Sequence, residues 1–302
     1  ATAKKCYEYV VALGTGGGYY LPARIGLVET MDRQITGKAI PTQEELQSLH
    51  AHYTAVLDEL GRSPATAPLI AGQAKLDAYY LNNLPGAIAG YEQLLAVPGL
   101  DRKRAAAYKL ELGDVYVIGG DIWEASLLYS QVDLEYKQDL LGHEARLRNA
   151  KVSFYAGDFL WAKAQLDVLK ASTSKLIAND AMDLSLLITD NLGVDSVSPP
   201  LGFFARSQLL VFQHRYDEAL VVLDSLDAAY PMGGLADDIL MERARIAMRR
   251  QQYPEAVAFL EKIVELFPNE ILVDNAMLEL GKLHETRLND KEKAMAWYER
   301  LL

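Results

Sequence analysis

The apolar positions of this chain repeat as one helical stripe. Ala87, Ala125, Ala162, Ala219, Ala256 and Ala294 stand 38, 37, 57, 37 and 38 residues apart. Four residues after them come Tyr91, Tyr129, Leu166, Leu223, Leu260 and Tyr298; seven after come Leu94, Val132, Leu169, Leu226, Ile263 and Leu301. Positions i, i+4 and i+7 share one helix face, so each set predicts a buried stripe. The alanine marks a place where a neighbouring helix crosses closely. Three residues before it a large apolar group recurs as Leu84, Ile122, Phe159, Tyr216 and Tyr253, with Lys291 in the sixth copy. A second helical pattern precedes each stripe. Its small residues Gly113, Ala150, Ser207 and Ala244 lie twelve before their alanines and Gly281 thirteen before Ala294, the pattern being clearest as Leu112-Gly113-x-x-Tyr116 and Leu280-Gly281-x-x-His284.

Punctuation agrees with two helices per repeat. Pro85 and Pro254 fall in a first helical turn, where a missing N–H costs nothing. Gly120-Asp121 and Gly157-Asp158 supply a turn and then a capping side chain. Pro231 and Pro268 fall twelve after their alanines, where the second helix should stop. Leu49, Tyr53 and Val56 extend the stripe one repeat earlier, and Thr42 with Glu45 gives that helix a capping box. Ala3, Tyr7 and Val10 match it once more. The chain is therefore expected to begin inside the second helix of one repeat and end at Leu302 inside another, with the native polypeptide longer at both ends.

The 57-residue interval exceeds a repeat by about one helix. Its surplus, Leu176–Pro200, contains Asp180, Asp183, Asp190 and Asp195 and no basic residue. Ala178 to Leu192 reads as a short amphipathic helix and Ser196 to Pro200 as a linker. An unpaired helix breaks the alternation. The expected division is an N-terminal subarray at 1–193, a linker at 194–200 and a C-terminal subarray at 201–302.

Leu-Gly-x-x-Tyr, then Gly-Asp-x-x-x-Ala, then an aromatic or leucine four later and proline twelve later, resembles the tetratricopeptide repeat. The likeness covers nearly the whole chain, with a period of 37–38 where the family has about 34. It implies an all-α, right-handed superhelical solenoid of antiparallel helix pairs, about seven repeats with incomplete ends. The longer period, with Phe267-Pro268-Asn269 before a new helix, looks like the bacterial envelope members: the Tol–Pal-associated proteins and the outer-membrane assembly lipoprotein. That narrower likeness implies the periplasm or cell envelope; composition leaves the cytoplasm open.

Charge narrows the partners. Thirty Lys+Arg against 41 Asp+Glu leave a formal net charge of −11. Such a balance argues against nucleic acid and against anionic membrane surfaces. Apolar runs such as Leu184–Ile188 and Leu209–Phe212 are too short to cross a bilayer. The resemblance implies a non-catalytic scaffold that binds a peptide or protein partner in its concave groove. The alternative is an architectural subunit stacking through its terminal repeats in a larger, cell-envelope assembly. A hydrolase or transferase would require acidic residues to converge in one pocket.

Local chemistry is sparse, and no cofactor or metal is expected. Gly14-Thr-Gly-Gly-Gly18 lacks the lysine of a phosphate loop, and Tyr19 occupies the last glycine of a dinucleotide fingerprint. His50 and His52, two apart on a helix, face different sides and cannot share a metal. The single Cys6 has no intrachain partner. Candidate partner-binding residues come from the first helices. Counting the small residue as position eight, the fifth positions Leu110, Leu147, Phe204, Met241 and Leu278 are all apolar, unlike the lysine and asparagine of the family's carboxylate clamp. The ninth positions Asp114, Lys151, Gln208, Arg245 and Lys282 are polar. Leu110, Leu147, Phe204 and Met241 are thus expected to floor a groove. Lys151, Tyr155, Gln208, Arg245, Arg249 and Lys282 would edge it, the two arginines steering acidic groups of a partner.

Overall fold

The computed structural model describes residues 2–38, 40–172, 174–193, 198–231 and 233–302. Among these the regular elements are sixteen α-helices and no strand. The chain divides into two compact units, Ala1–Asn149 and Ala150–Leu302. In the first lie α1 (Thr2–Ala12), α2 (Tyr20–Thr36), α3 (Gln43–Leu60), α4 (Ala67–Tyr79), α5 (Leu84–Leu95), α6 (Arg102–Gly119) and α7 (Ile122–Glu135). The dividing point falls inside α8 (Leu140–Tyr155). The second holds α9 (Phe159–Leu169), α10 (Lys175–Asn191), α11 (Pro199–Phe212), α12 (Tyr216–Ala229), α13 (Ala236–Arg249), α14 (Tyr253–Leu266), α15 (Leu272–Thr286) and α16 (Lys291–Leu301). Of the linker expected at 194–200, residues 194–197, Asp195 among them, lie outside the described residues.

The helix ends sit where the punctuation places them. Thr42 and Glu45 close a reciprocal capping box on α3. Pro85 and Pro254 occupy the first turns of α5 and α14. Gly120 ends α6 at φ 92°, a left-handed turn that glycine adopts without strain. Asp158 accepts the Trp161 N–H at 3.2 Å and caps α9, whereas Asp121 makes no such bond on α7. Pro231 and Pro268 stand just past the ends of α12 and α14.

The stripes from α3 to α14 are interior, whereas α1 buries none of Ala3, Tyr7 and Val10. Leu49, Tyr53 and Val56 of α3 are buried, as are Ala87-Tyr91-Leu94, Ala125-Tyr129-Val132, Ala162-Leu166-Leu169, Ala219-Leu223-Leu226 and Ala256-Leu260-Ile263. Coverage weakens in α16, where Ala294 is buried but Tyr298 and Leu301 are half-buried. Covering one such leucine contributes roughly 1.5–3 kcal/mol, so the repeated stripe is a substantial part of the drive for folding.

Within each unit, first helices of successive pairs also meet: α2 with α4 and α4 with α6, then α11 with α13 and α13 with α15. The small residue of the first helix fits the fourth-position side chain of the second. A Cβ added to Gly113 would lie 2.4 Å from Cε1 of Tyr129, and one on Gly281 would lie 2.2 Å from Cε1 of Tyr298. At Tyr129 and Tyr298 the facing residue has to be glycine. Where the partner is leucine, at Leu166, Leu223 and Leu260, the small residue is Ala150, Ser207 or Ala244, all fully covered. The extra helix is α10. It packs on α9, touches α11, and buries Ile177, Ala178, Ala181, Ser185 and Ile188.

Candidate functional site

The two units present their first helices differently. In the second unit the polar candidates are engaged with carboxylates of that unit. Lys151 Nζ lies 3.7 Å from Asp180 of α10. Gln208 Nε2 and Arg245 Nη1 approach the same oxygen of Glu242, at 3.5 and 3.2 Å, and Glu242 itself is 3% exposed. Lys282 donates to Glu279 at 2.7 Å. The Tyr155 ring centroid stands 6.4 Å from that of Phe212. Arg249 is exposed, and its charge adds to burial in lowering the His214 pKa.

The field around Arg245 is acidic. Burial, then the charges of Asp237, Glu242 and Asp190, push the Asp238 carboxyl up to about 7, with Arg245 pulling the other way. Burial and Asp180 likewise raise Asp183 of α10. An acidic partner steered by Arg245 would therefore meet carboxylates as well as the guanidinium. The expected apolar floor is interior: Leu110, Leu147, Phe204 and Met241 are only 1, 6, 1 and 3% exposed, and Leu278 alone of the fifth positions reaches the surface. Those positions point into the helix pair because each neighbours the small residue that seats the second helix.

In the first unit, tyrosines of the buried stripe reach through to first-helix carboxylates. Tyr53 donates its hydroxyl to Asp32 of α2, Tyr91 to Glu111 of α6 at 3.0 Å, and Tyr129 to Asp114 of α6 at 2.8 Å. Burial, more than these bonds, raises all three phenol pKa values, so the hydroxyls stay protonated donors. Arg148 Nη1 lies 3.0 Å from Asp114 and its Nη2 2.6 Å from Glu144. Burial raises the Asp114 carboxyl, and Arg148 with the Tyr129 hydroxyl partly offsets it.

Between α2, α4 and α6 opens a cleft of about 420 Å³. Glu29, Asp32 and Arg33 form its α2 side, Pro68, Ala71, Gly72 and Lys75 its α4 side, and Tyr53 and Tyr108 complete it. Gly72 is what lets Tyr53 in: a Cβ there would lie 2.5 Å from the phenol oxygen. Sequence reasoning assigned Tyr53 to the stripe and named none of the other lining residues. Its one available signal was tyrosine at the fourth position in the first unit where the second has leucine.

A second, smaller cavity of about 110 Å³ lies near the start of α13, lined by Asn191, Ser198, Leu226, Tyr230, Gly234 and Ile239 among others. Neither cavity joins a nucleophile to a base. Among the described residues no three His, Cys, Asp or Glu side chains are grouped to hold a metal, and no helix is long and apolar enough to cross a membrane. His50 Nε2 stands 3.4 Å from Asp77 while His52 Nδ1 meets the Ser48 carbonyl, so the two rings serve different neighbours.

Paired helices carrying one repeated stripe define an all-α repeat protein. A family profile described as tetratricopeptide repeat matches residues 204–271, which span α11 to α14. A crystal structure of a tetratricopeptide repeat protein from Parabacteroides merdae is similar at 14% identity over 92% of each chain, with a TM-score of 0.42. No curated protein matches. The buried stripe and its helix pairing run from α3 to α16, so the chain is an all-α repeat protein whose residues 204–271 match the tetratricopeptide repeat. Tetratricopeptide repeats are in general non-catalytic and serve as protein-interaction scaffolds.

Proposed function

We propose that this chain is a non-catalytic scaffold that holds a peptide or protein partner against its first-helix face. The observation that carries the reading is the open cleft between α2, α4 and α6. There, residues of three successive first helices line one cavity. Polar groups fixed from behind by buried tyrosines lose little freedom on binding, which favours recognition over a floppy surface.

Placing a photo-reactive benzoylphenylalanine at Tyr108, and separately at Trp123 on α7, tests it. The scaffold reading expects one discrete cross-linked partner from Tyr108 and none from Trp123. Cross-linking from Trp123 alone would move the partner to the outer helices.

That outcome belongs to a second reading, an architectural subunit within a larger assembly. It is favoured by the apolar strip on α7, where Trp123, Leu127 and Leu134 are 74, 54 and 65% exposed. Glutamate at Trp123 and Leu127 should then dissolve the assembly on a sizing column and leave first-helix binding intact.

A further inference from the structure

We infer that the cleft between α2, α4 and α6 is a subsite for a basic side chain, lysine or arginine, of the bound partner, with Asp32 as its counter-charge. The inference rests on the scaffold reading above and adds to it the chemistry of the partner.

The argument is one of charge pairing. Four charged groups line the cleft: Glu29, Asp32, Arg33 and Lys75. Arg33 is committed to Glu29 one turn before it, at 3.7 Å, with its side chain otherwise in solvent. Lys75 is committed to Glu111 of α6 at 2.7 Å. Asp32 is left over. Among the described residues it has no ion-pair partner and is held by neutral donors only, the Tyr53 hydroxyl and the Thr36 hydroxyl at 3.1 Å. Those two bonds fix the carboxylate without neutralising it.

The walls fit the stem of such a side chain. Pro68 and Ala71 offer apolar surface and Tyr108 an aromatic one, suited to the methylenes of lysine or the plane of a guanidinium. The floor stays open because Gly72 has no side chain and Tyr53 fills the space behind it. An acidic side chain entering the cleft would meet the uncompensated charge of Asp32, with Arg33 and Lys75 already paired to Glu29 and Glu111. An apolar one would bury Asp32 without a counter-ion, which is costly.

A peptide array of random decamers, with one central residue fixed as each of the twenty amino acids in turn, tests this on the whole chain. Wild type, Asp32→Asn and Glu29→Gln would be compared, each first checked for an unchanged melting temperature. If Asp32→Asn melts early, added sodium chloride serves instead on wild type, since screening should erase a preference that rests on charge. The inference expects wild type to select lysine or arginine at the fixed position. Asp32→Asn should weaken that selection about tenfold, the loss of a charge-assisted contact, and Glu29→Gln should change it less than about twofold. Three results would overturn it. A basic preference that survives both Asp32→Asn and salt places the subsite elsewhere. Binding without basic preference removes the subsite and leaves the scaffold reading standing. Failure to bind any peptide in the array removes peptide recognition altogether, subsite included.

Discussion

The two units use one buried stripe for different purposes. In the first, its fourth position is tyrosine at Tyr7, Tyr53, Tyr91 and Tyr129, and the last three donate to a first-helix carboxylate. In the second, the position is leucine at Leu166, Leu223 and Leu260, and tyrosine returns only at Tyr298. Leucine packs equally well but has nothing to donate, so first-helix polar groups there settle into ion pairs with one another, as Glu242 does with Arg245. The lesson is that in a repeat array a core residue can decide what the first-helix face looks like. At Asp32 the tyrosine holds a carboxylate in place and leaves its charge available, whereas Glu111 and Asp114 are also paired with Lys75 and Arg148.

The largest expected effect concerns what the units share. Ala125 and Ala256 are fully covered at close helix crossings. Leucine at either should destabilise its unit by about 1–3 kcal/mol, the usual range for overpacking. Thermal melts would show it, and an unchanged midpoint in either variant would mean the stripe register differs between the units.

Next in size is the tyrosine hydroxyl. Tyr129→Phe removes a bond to the half-buried Asp114 and should cost about 1 kcal/mol. It should also raise the Asp114 pKa further, because that bond favours the ionised form. NMR titration of the Asp114 carboxyl checks the sign; a downward shift would break the comparison.

The acidic field of the second unit gives a pH prediction. Asp238 titrates at about 7 in the folded chain, above the 3.8 of a free aspartate. A raised carboxyl favours the folded state below the unfolded value, and that contribution is lost as pH rises from about 4 through 7. Asp238→Asn should therefore stabilise the protein more at pH 8 than at pH 5, measured against wild type at each pH. An equal effect at both would show that the carboxyl titrates normally. Smallest is Arg215→Gln, which breaks the exposed pair with Glu218 and should leave the melting midpoint nearly unchanged.

Much of the fold was legible because helical periodicity is written locally. The capping box at Thr42, the prolines of α5 and α14 and the glycine at the end of α6 mark boundaries through side chains a few residues away. The extra helix was legible too, as the surplus in a regular spacing, although α10 begins at Lys175 rather than Ala178.

The cleft between α2, α4 and α6 was not, for a geometric reason. Its lining residues come from helices some forty residues apart, and the links between them have no fixed spacing: Tyr91 to Glu111 is 20 residues, Tyr129 to Asp114 is 15. The fifth positions read as a groove floor because they are apolar; a position beside the helix crossing is apolar for packing alone. The dividing point of the compact units at Asn149 and Ala150 has no signature either, since it falls inside a continuous helix, α8.

The matching of a small residue to the fourth position is the claim on which the comparison stands, and a double-mutant cycle tests it most directly. Gly113→Ala and Tyr129→Leu together write the alanine–leucine pairing of Ala150 and Leu166 into the first unit. Alone, Gly113→Ala drives a Cβ to within 2.4 Å of the ring, and Tyr129→Leu empties space beside a glycine. Helix propensity changes cancel in the cycle, leaving the contact itself. Denaturant unfolding of the four proteins should show the double variant less destabilised than the sum of the single ones by about 1 kcal/mol or more. Additivity to within about 0.5 kcal/mol would contradict the account, because it would mean that Gly113 and Tyr129 do not sense each other.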